Sequence, residues 1–106
     1  MDTRDFGFGN EFAFVDAAAR DPRAYASLRT YIEAVAASEV DRLAPTPTAS
    51  RNALIGAAMV PFDRALLNYR RGRAGVPHPF PFSAYYRWWA RQYAIAHDAA
   101  VRSGQL

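Results

Sequence analysis

Apolar side chains along this chain recur at spacings of three and four, and strand-like alternation is absent, so the pattern predicts helices. A short helix from about Asn10 to Arg20, with Asn10 as cap, is the first candidate, preceded by an aromatic arm bearing Phe6, Phe8, Phe12 and Phe14. Asp21-Pro22 restarts the chain, with Asp as N-cap and Pro at the first helical position. The helix that follows is expected to run to about Arg42, with Tyr25, Leu28, Tyr31, Ile32, Val35 and Ala36 inward. Prolines in the stretch after Leu43 stop it. Ser50 can cap a helix over about 51–71, with Leu54, Ile55, Ala58, Phe62, Ala65, Leu66 and Tyr69 inward. Pro61 lies inside that span, so the helix is either kinked there or broken, with Pro61 opening the second piece. Residues 72–81 are rich in Gly and Pro and predict a loop. The last helix begins at Ser83 or Pro81 and runs to about Ser103, with Gly104 just past it. The expectation is an all-α domain, a small bundle of about four to five helices, with residues 1–21 as an arm and short helix and 22–106 as the domain proper.

Composition narrows the function. A chain of 106 residues is long enough for one modest core. It has no cysteine, so no disulfide, thiolate metal site or thiol nucleophile. No signal peptide opens it and the longest apolar run, around Gly56, is too short to span a bilayer, so a cytoplasmic protein without a membrane partner is expected. Charge is uneven. Residues 1–63 carry six Arg against nine acids, net −3, while residues 64–106 carry seven Arg against Asp98 alone, net +6. A basic half points to a polyanionic partner, nucleic acid ahead of membrane. All the basic residues are Arg, which suits bidentate phosphate contacts.

The basic half contains the most informative stretch. Residues 82–92 read Phe-Ser-Ala-Tyr-Tyr-Arg-Trp-Trp-Ala-Arg-Gln and hold both tryptophans, Trp88 and Trp89. Helical spacing puts Tyr85, Trp88, Trp89 and Gln92 on one stripe, flanked by Arg87 and Arg91. Aromatic faces beside guanidinium groups can stack on unpaired bases while gripping phosphates, although a stripe at this spacing is most often simply core. Arg70, Arg71 and Arg73, just upstream, are further candidates for phosphate contacts. His78 and His97 have no partner at metal-ligand or catalytic spacing, and no phosphate loop, nucleophile elbow or paired-carboxylate motif occurs. No enzyme, cofactor or metal site is expected.

The same residues resemble the bacterial sigma-factor helix that reads the promoter minus-ten element, whose pattern is Phe-Ser-x-Tyr-x-x-Trp-Trp-x-Arg-Gln. Phe82, Ser83, Tyr85, Trp88, Trp89, Arg91 and Gln92 fill it. Leu54 to Tyr69 is similar, without a gap, to the sigma segment before that helix, with Leu54, Ile55 and Ala65 matching outright and Phe62, Arg64, Leu66 and Tyr69 in character. Leu28-Arg29 resembles the start of the family's upstream helix, so the resemblance covers about residues 24–100. It implies a sigma-region-two-like fold and a role in transcription, binding single-stranded or melted AT-rich promoter DNA, with RNA polymerase or another transcription protein as partner. By the same resemblance Tyr85 would stack on a flipped adenine, Trp88 would wedge at the upstream edge of the bubble, Gln92 would touch the adjacent base, and Trp89 would pack inward or support Trp88.

The departures suggest a second reading. Where the family carries Gln-Glu-x-Asn for the polymerase clamp, this chain has Gly56, Ala57 and Met59, and the loop at 72–81 is longer. The family's Thr and Arg near positions 95 and 96 are Ile95 and Ala96. No counterpart of the minus-thirty-five helix-turn-helix domain follows, so a sigma factor acting alone is not expected. The alternative is a non-enzymatic protein-interaction module, a sigma mimic or regulator-binding protein, that keeps the fold without the DNA binding and exposes an apolar patch on helix 51–71.

Overall fold

Prolines and cap residues divide the chain into helices where the sequence places them. In the computed structural model, which describes residues 15–43, 47–73 and 81–105, these are α1 (Pro22–Asp41), α2 (Arg51–Met59), α3 (Phe62–Arg73) and α4 (Phe82–Arg102). No strand occurs among the described residues, and the protein is an all-α bundle. The Phe6, Phe8, Phe12 and Phe14 arm, the Asn10 cap and His78 lie outside the described residues. Residues 15–17 are helical and turn at 18–20 into α1; Val15 and Ala18 are buried in the same core as the four helices.

Each helix end has a local cause. Asp21 caps α1, its Oδ1 accepting from the Arg23 N–H at 2.9 Å with Pro22 in the first turn. Ser50 caps α2 through a 3.2 Å bond from the Ala53 N–H. Pro61 breaks the predicted 51–71 helix in two. It has no N–H for the Ala57 carbonyl, which accepts from Val60 instead at 3.2 Å, and its own carbonyl starts the α3 ladder by accepting from Ala65 at 2.8 Å. At the other end α3 includes Gly72 and Arg73, which were expected in the loop; the first proline after them is Pro77, so nothing at 72–73 forbids helix. Ser83 is not the cap of α4. It sits buried inside the first turn, and Pro81 occupies the cap position, its carbonyl accepting from Ala84 and Tyr85. α4 closes with Gly104 at φ +80°, the Gly104 N–H bonding the Val101 carbonyl and the Gln105 N–H the Ala100 carbonyl. Only glycine takes that backbone angle without strain.

α4 packs against α1, α2 and α3. The inward positions expected of α1 and of the 51–71 segment are buried, except that Tyr25, Tyr31 and Ile55 lie half-buried at the margin. Phe62, Tyr69, Phe82 and Tyr86 form a buried aromatic layer with centroids 5.2–6.1 Å apart for the pairs Tyr69–Phe82, Phe82–Tyr86, Phe62–Tyr86 and Phe62–Phe82. The Tyr86 hydroxyl donates to the Ala58 carbonyl at 2.7 Å, so α4 supplies a partner for α2 next to the proline break. Burial pushes the Tyr86 phenol up, which keeps it a neutral donor. Tyr25 donates to Asp63, joining α1 to α3, and that carboxylate is the main cause of the raised Tyr25 pKa.

Asp98 ties the α1–α2 connection to α4. Its buried Oδ1 accepts from the backbone N–H groups of Thr48 and Ala49 at 2.7 and 2.8 Å, and Arg102 pairs with Oδ2 at 2.5 Å. The Ala49 N–H bond is the main cause holding the carboxyl below its ordinary value of 3.8, helped by Thr48 and Arg102 against the opposing effect of burial. A depressed carboxyl stabilises the fold above the unfolded value, and that contribution is lost as pH falls through the lower folded one. Asp98→Asn is therefore expected to lower Tm at pH 7 and to flatten the loss of stability below pH ~4 in acid melts followed by circular dichroism.

Gly56 stands mid-α2 with helical backbone, and a Cβ placed there meets nothing within 4 Å. Gly56→Ala is expected to raise stability by about 0.5–1 kcal/mol in urea unfolding, because alanine loses less backbone entropy in a helix.

Candidate nucleic-acid interface

Two consecutive tryptophans on a helix point about 100° apart, so one partner in the bundle cannot bury both. Trp88 is the outward one, 62% exposed. Trp89 is half-buried, its ring edge-on to Trp88 at 5.6 Å and tilted against Tyr93 at 6.2 Å. Trp89 therefore lies between the exposed indole and the bundle. Gln92 and Arg91 are exposed one turn further on, and among the described residues no carboxylate pairs with Arg91. Ile95, exposed at the next turn, extends the same face.

Tyr85 departs from the expected single stripe. It is half-buried and packs on Tyr69 at 5.5 Å, Phe82 at 6.2 Å and Trp89 at 6.3 Å, so its ring belongs to the margin of the aromatic layer. The i, i+4 pair Tyr85/Trp89 faces the bundle, while Trp88/Gln92 faces outward.

The arginines divide similarly. Arg87 Nη1 bonds Glu39 Oε1 at 2.9 Å, joining α4 to α1. The Glu39 side chain is 7% exposed, that of Arg87 41%. Arg42, the residue after α1, approaches the same Glu39 oxygen at 3.8 Å. Arg70 does not join this face. Its Nε donates to the Val15 carbonyl at 3.1 Å, its Nη2 is buried without a hydrogen-bond partner, and burial lowers its pKa. It anchors the segment before α1 instead of projecting toward a ligand. The side chains of Arg71 and Arg73 lie outside the described residues. Glu39 and Arg42 had no local signal as site residues, since Glu39 meets Arg87 across 48 positions of sequence.

A second surface lies between α1 and α2. Thr30, Ala34, Ala37, Ile55, Gly56 and Met59 line an open groove of about 800 Å³, and Val60 stands at its end, 73% exposed. Among the described residues no cluster of three His, Asp or Glu could hold a metal ion, and no helix is long and apolar enough to cross a membrane. Compared with protein-family models, with curated proteins and with solved structures, the chain gives no match.

Proposed function

We propose that this chain is a sigma-like nucleic-acid-binding domain with a role in transcription, and that α4 holds an unpaired base of single-stranded or melted DNA against Trp88. The observation that carries the reading is the exposure of Trp88 on a helix whose opposite face is locked into the core, with Trp89 bracing it and Arg91 and Gln92 beside it. A large aromatic ring held rigidly in water is a stacking platform that loses little entropy on binding. Neighbouring guanidinium groups supply the attraction for phosphate that stacking lacks.

Anisotropy of a labelled single strand carrying the minus-ten consensus, set against a scrambled strand and a duplex at two salt concentrations, tests it. The expected result is tightest, salt-dependent binding to the consensus single strand. Equal failure with all three would sink the reading.

A second reading, the protein-interaction module, is favoured by exposed Val60 at the end of the α1–α2 groove, where Ile55 and Met59 lie beside Arg29, Glu33, Arg51 and Asn52. It requires a protein captured through that groove, capture broken by Val60→Asp, and no strand bound by the intact chain. In either reading RNA polymerase or another transcription protein is the candidate partner.

A further inference from the structure

We propose that Arg42 and Arg87, drawn together by the buried carboxylate of Glu39, form a fork that grips the backbone phosphate of the nucleotide stacked on Trp88. The inference rests on the nucleic-acid reading above and adds to it a residue from α1's end, outside the motif helix.

A buried carboxylate is costly unless paired. Glu39 is paired by Arg87 at 2.9 Å, and Arg42 comes to 3.8 Å of the same oxygen. Two guanidinium groups converge on one charge, so the cluster stays cationic. Two positive charges thus meet one negative there. The C-terminal end of α1 offsets about half a charge more, which leaves the patch positive. The neighbouring acid does not compete, because Asp41 is held by both Nε and Nη2 of Arg51 at 2.8 and 3.1 Å.

Glu39 also orients Arg87. A guanidinium has five N–H donors in a fixed fork. Arg87 uses Nη1 on Glu39, and its side chain remains 41% exposed, while that of Arg42 is 68% exposed. An arginine already held in place loses less freedom on binding phosphate than a free one. Arg87 precedes Trp88 directly in the chain, so the cation and the platform arise from the same turn of α4. Glu39 is thus a positioning residue, and Arg42 and Arg87 are the binding ones.

Arg42→Ala is the deciding variant, because Arg42 is exposed and its loss leaves the Glu39–Arg87 bond in place. Arg87→Ala strands a buried carboxylate and can fail to fold for that reason alone. Arg23→Ala is the charge-matched control, 19 residues back along α1 and about 28 Å away at the helical rise. Measured on the full chain with the consensus single strand, Arg42→Ala is expected to weaken binding about 3- to 10-fold at low salt. It also lowers the slope of log affinity on log salt by about 0.7, the release expected for one phosphate contact on a single strand. Arg42→Lys restores the slope and part of the affinity, since lysine keeps the charge without the fork. Arg23→Ala changes neither. If Arg42→Ala behaves as Arg23→Ala while Trp88→Ala still weakens binding, the fork is overturned and the stacking reading stands. If the intact chain binds no strand, both fall together.

Discussion

Replacing Phe62 by alanine is expected to remove about 3–5 kcal/mol of stability. Phe62 opens α3 directly after the proline break and is fully buried. Its ring meets Tyr25 at 5.6 Å, Phe82 at 6.1 Å and Tyr86 at 6.0 Å, and the Arg29 guanidinium lies 5.2 Å from its centroid. Alanine deletes the apolar transfer energy, the edge-to-face terms and the cation–π contact at once. The cavity cannot close easily, because the surrounding rings are fixed by α1 and α4. Against a total of about 5–15 kcal/mol for a typical domain, such a loss leaves the chain marginal. Urea unfolding should show a lower midpoint with an unchanged slope. A loss below about 1 kcal/mol would mean that the aromatic layer is not the packing centre described above.

Trp88→Ala is expected to show the opposite pattern, a small effect on folding and a large one on binding. The indole is mostly in water, and exposed substitutions usually stay within about 0.5 kcal/mol. Its edge-on contact with Trp89 adds about 0.5–1.5 kcal/mol. Base stacking is worth about 1–3 kcal/mol per base, so affinity for the consensus single strand should fall roughly 5- to 150-fold. Trp88→Phe should recover part of it. Fluorescence gives an independent readout, because the chain has only two tryptophans and Trp89 is the half-buried one. Quenching by the strand should be lost with Trp88→Ala and kept in Trp89→Phe. Unchanged affinity in Trp88→Ala would remove the stacking platform from the proposed function.

Helix boundaries were legible because their causes are local. Asp21-Pro22, Ser50, Pro61 and Gly104 act through the backbone within a turn of themselves. Core positions on α1, α2 and α3 were legible because a helix that buries one face must repeat at three and four. The loop expectation failed at Gly72 and Arg73, where glycine weakens a helix without forbidding it. Of the two starts expected for α4, Ser83 and Pro81, the structure takes Pro81, and the first turn is drawn inward with Phe82 into the aromatic layer.

The candidate site divides along the same line. Sequence by itself determined that α4 is an aromatic, arginine-bearing helix in an all-α chain with a basic C-terminal half, since residue type and helical period suffice for that. Only the tertiary structure decided that Trp88 faces water while Tyr85 and Trp89 lean on the bundle. It alone decided that Arg87 meets Glu39, that Arg70 turns to the Val15 carbonyl, and that Asp98 holds Thr48 and Ala49. Those partners lie 48 to 55 residues apart in the chain. A local period fixes which side chains share a face, but which face meets a neighbour, and which charge is answered across the interface, depends on how the helices pack.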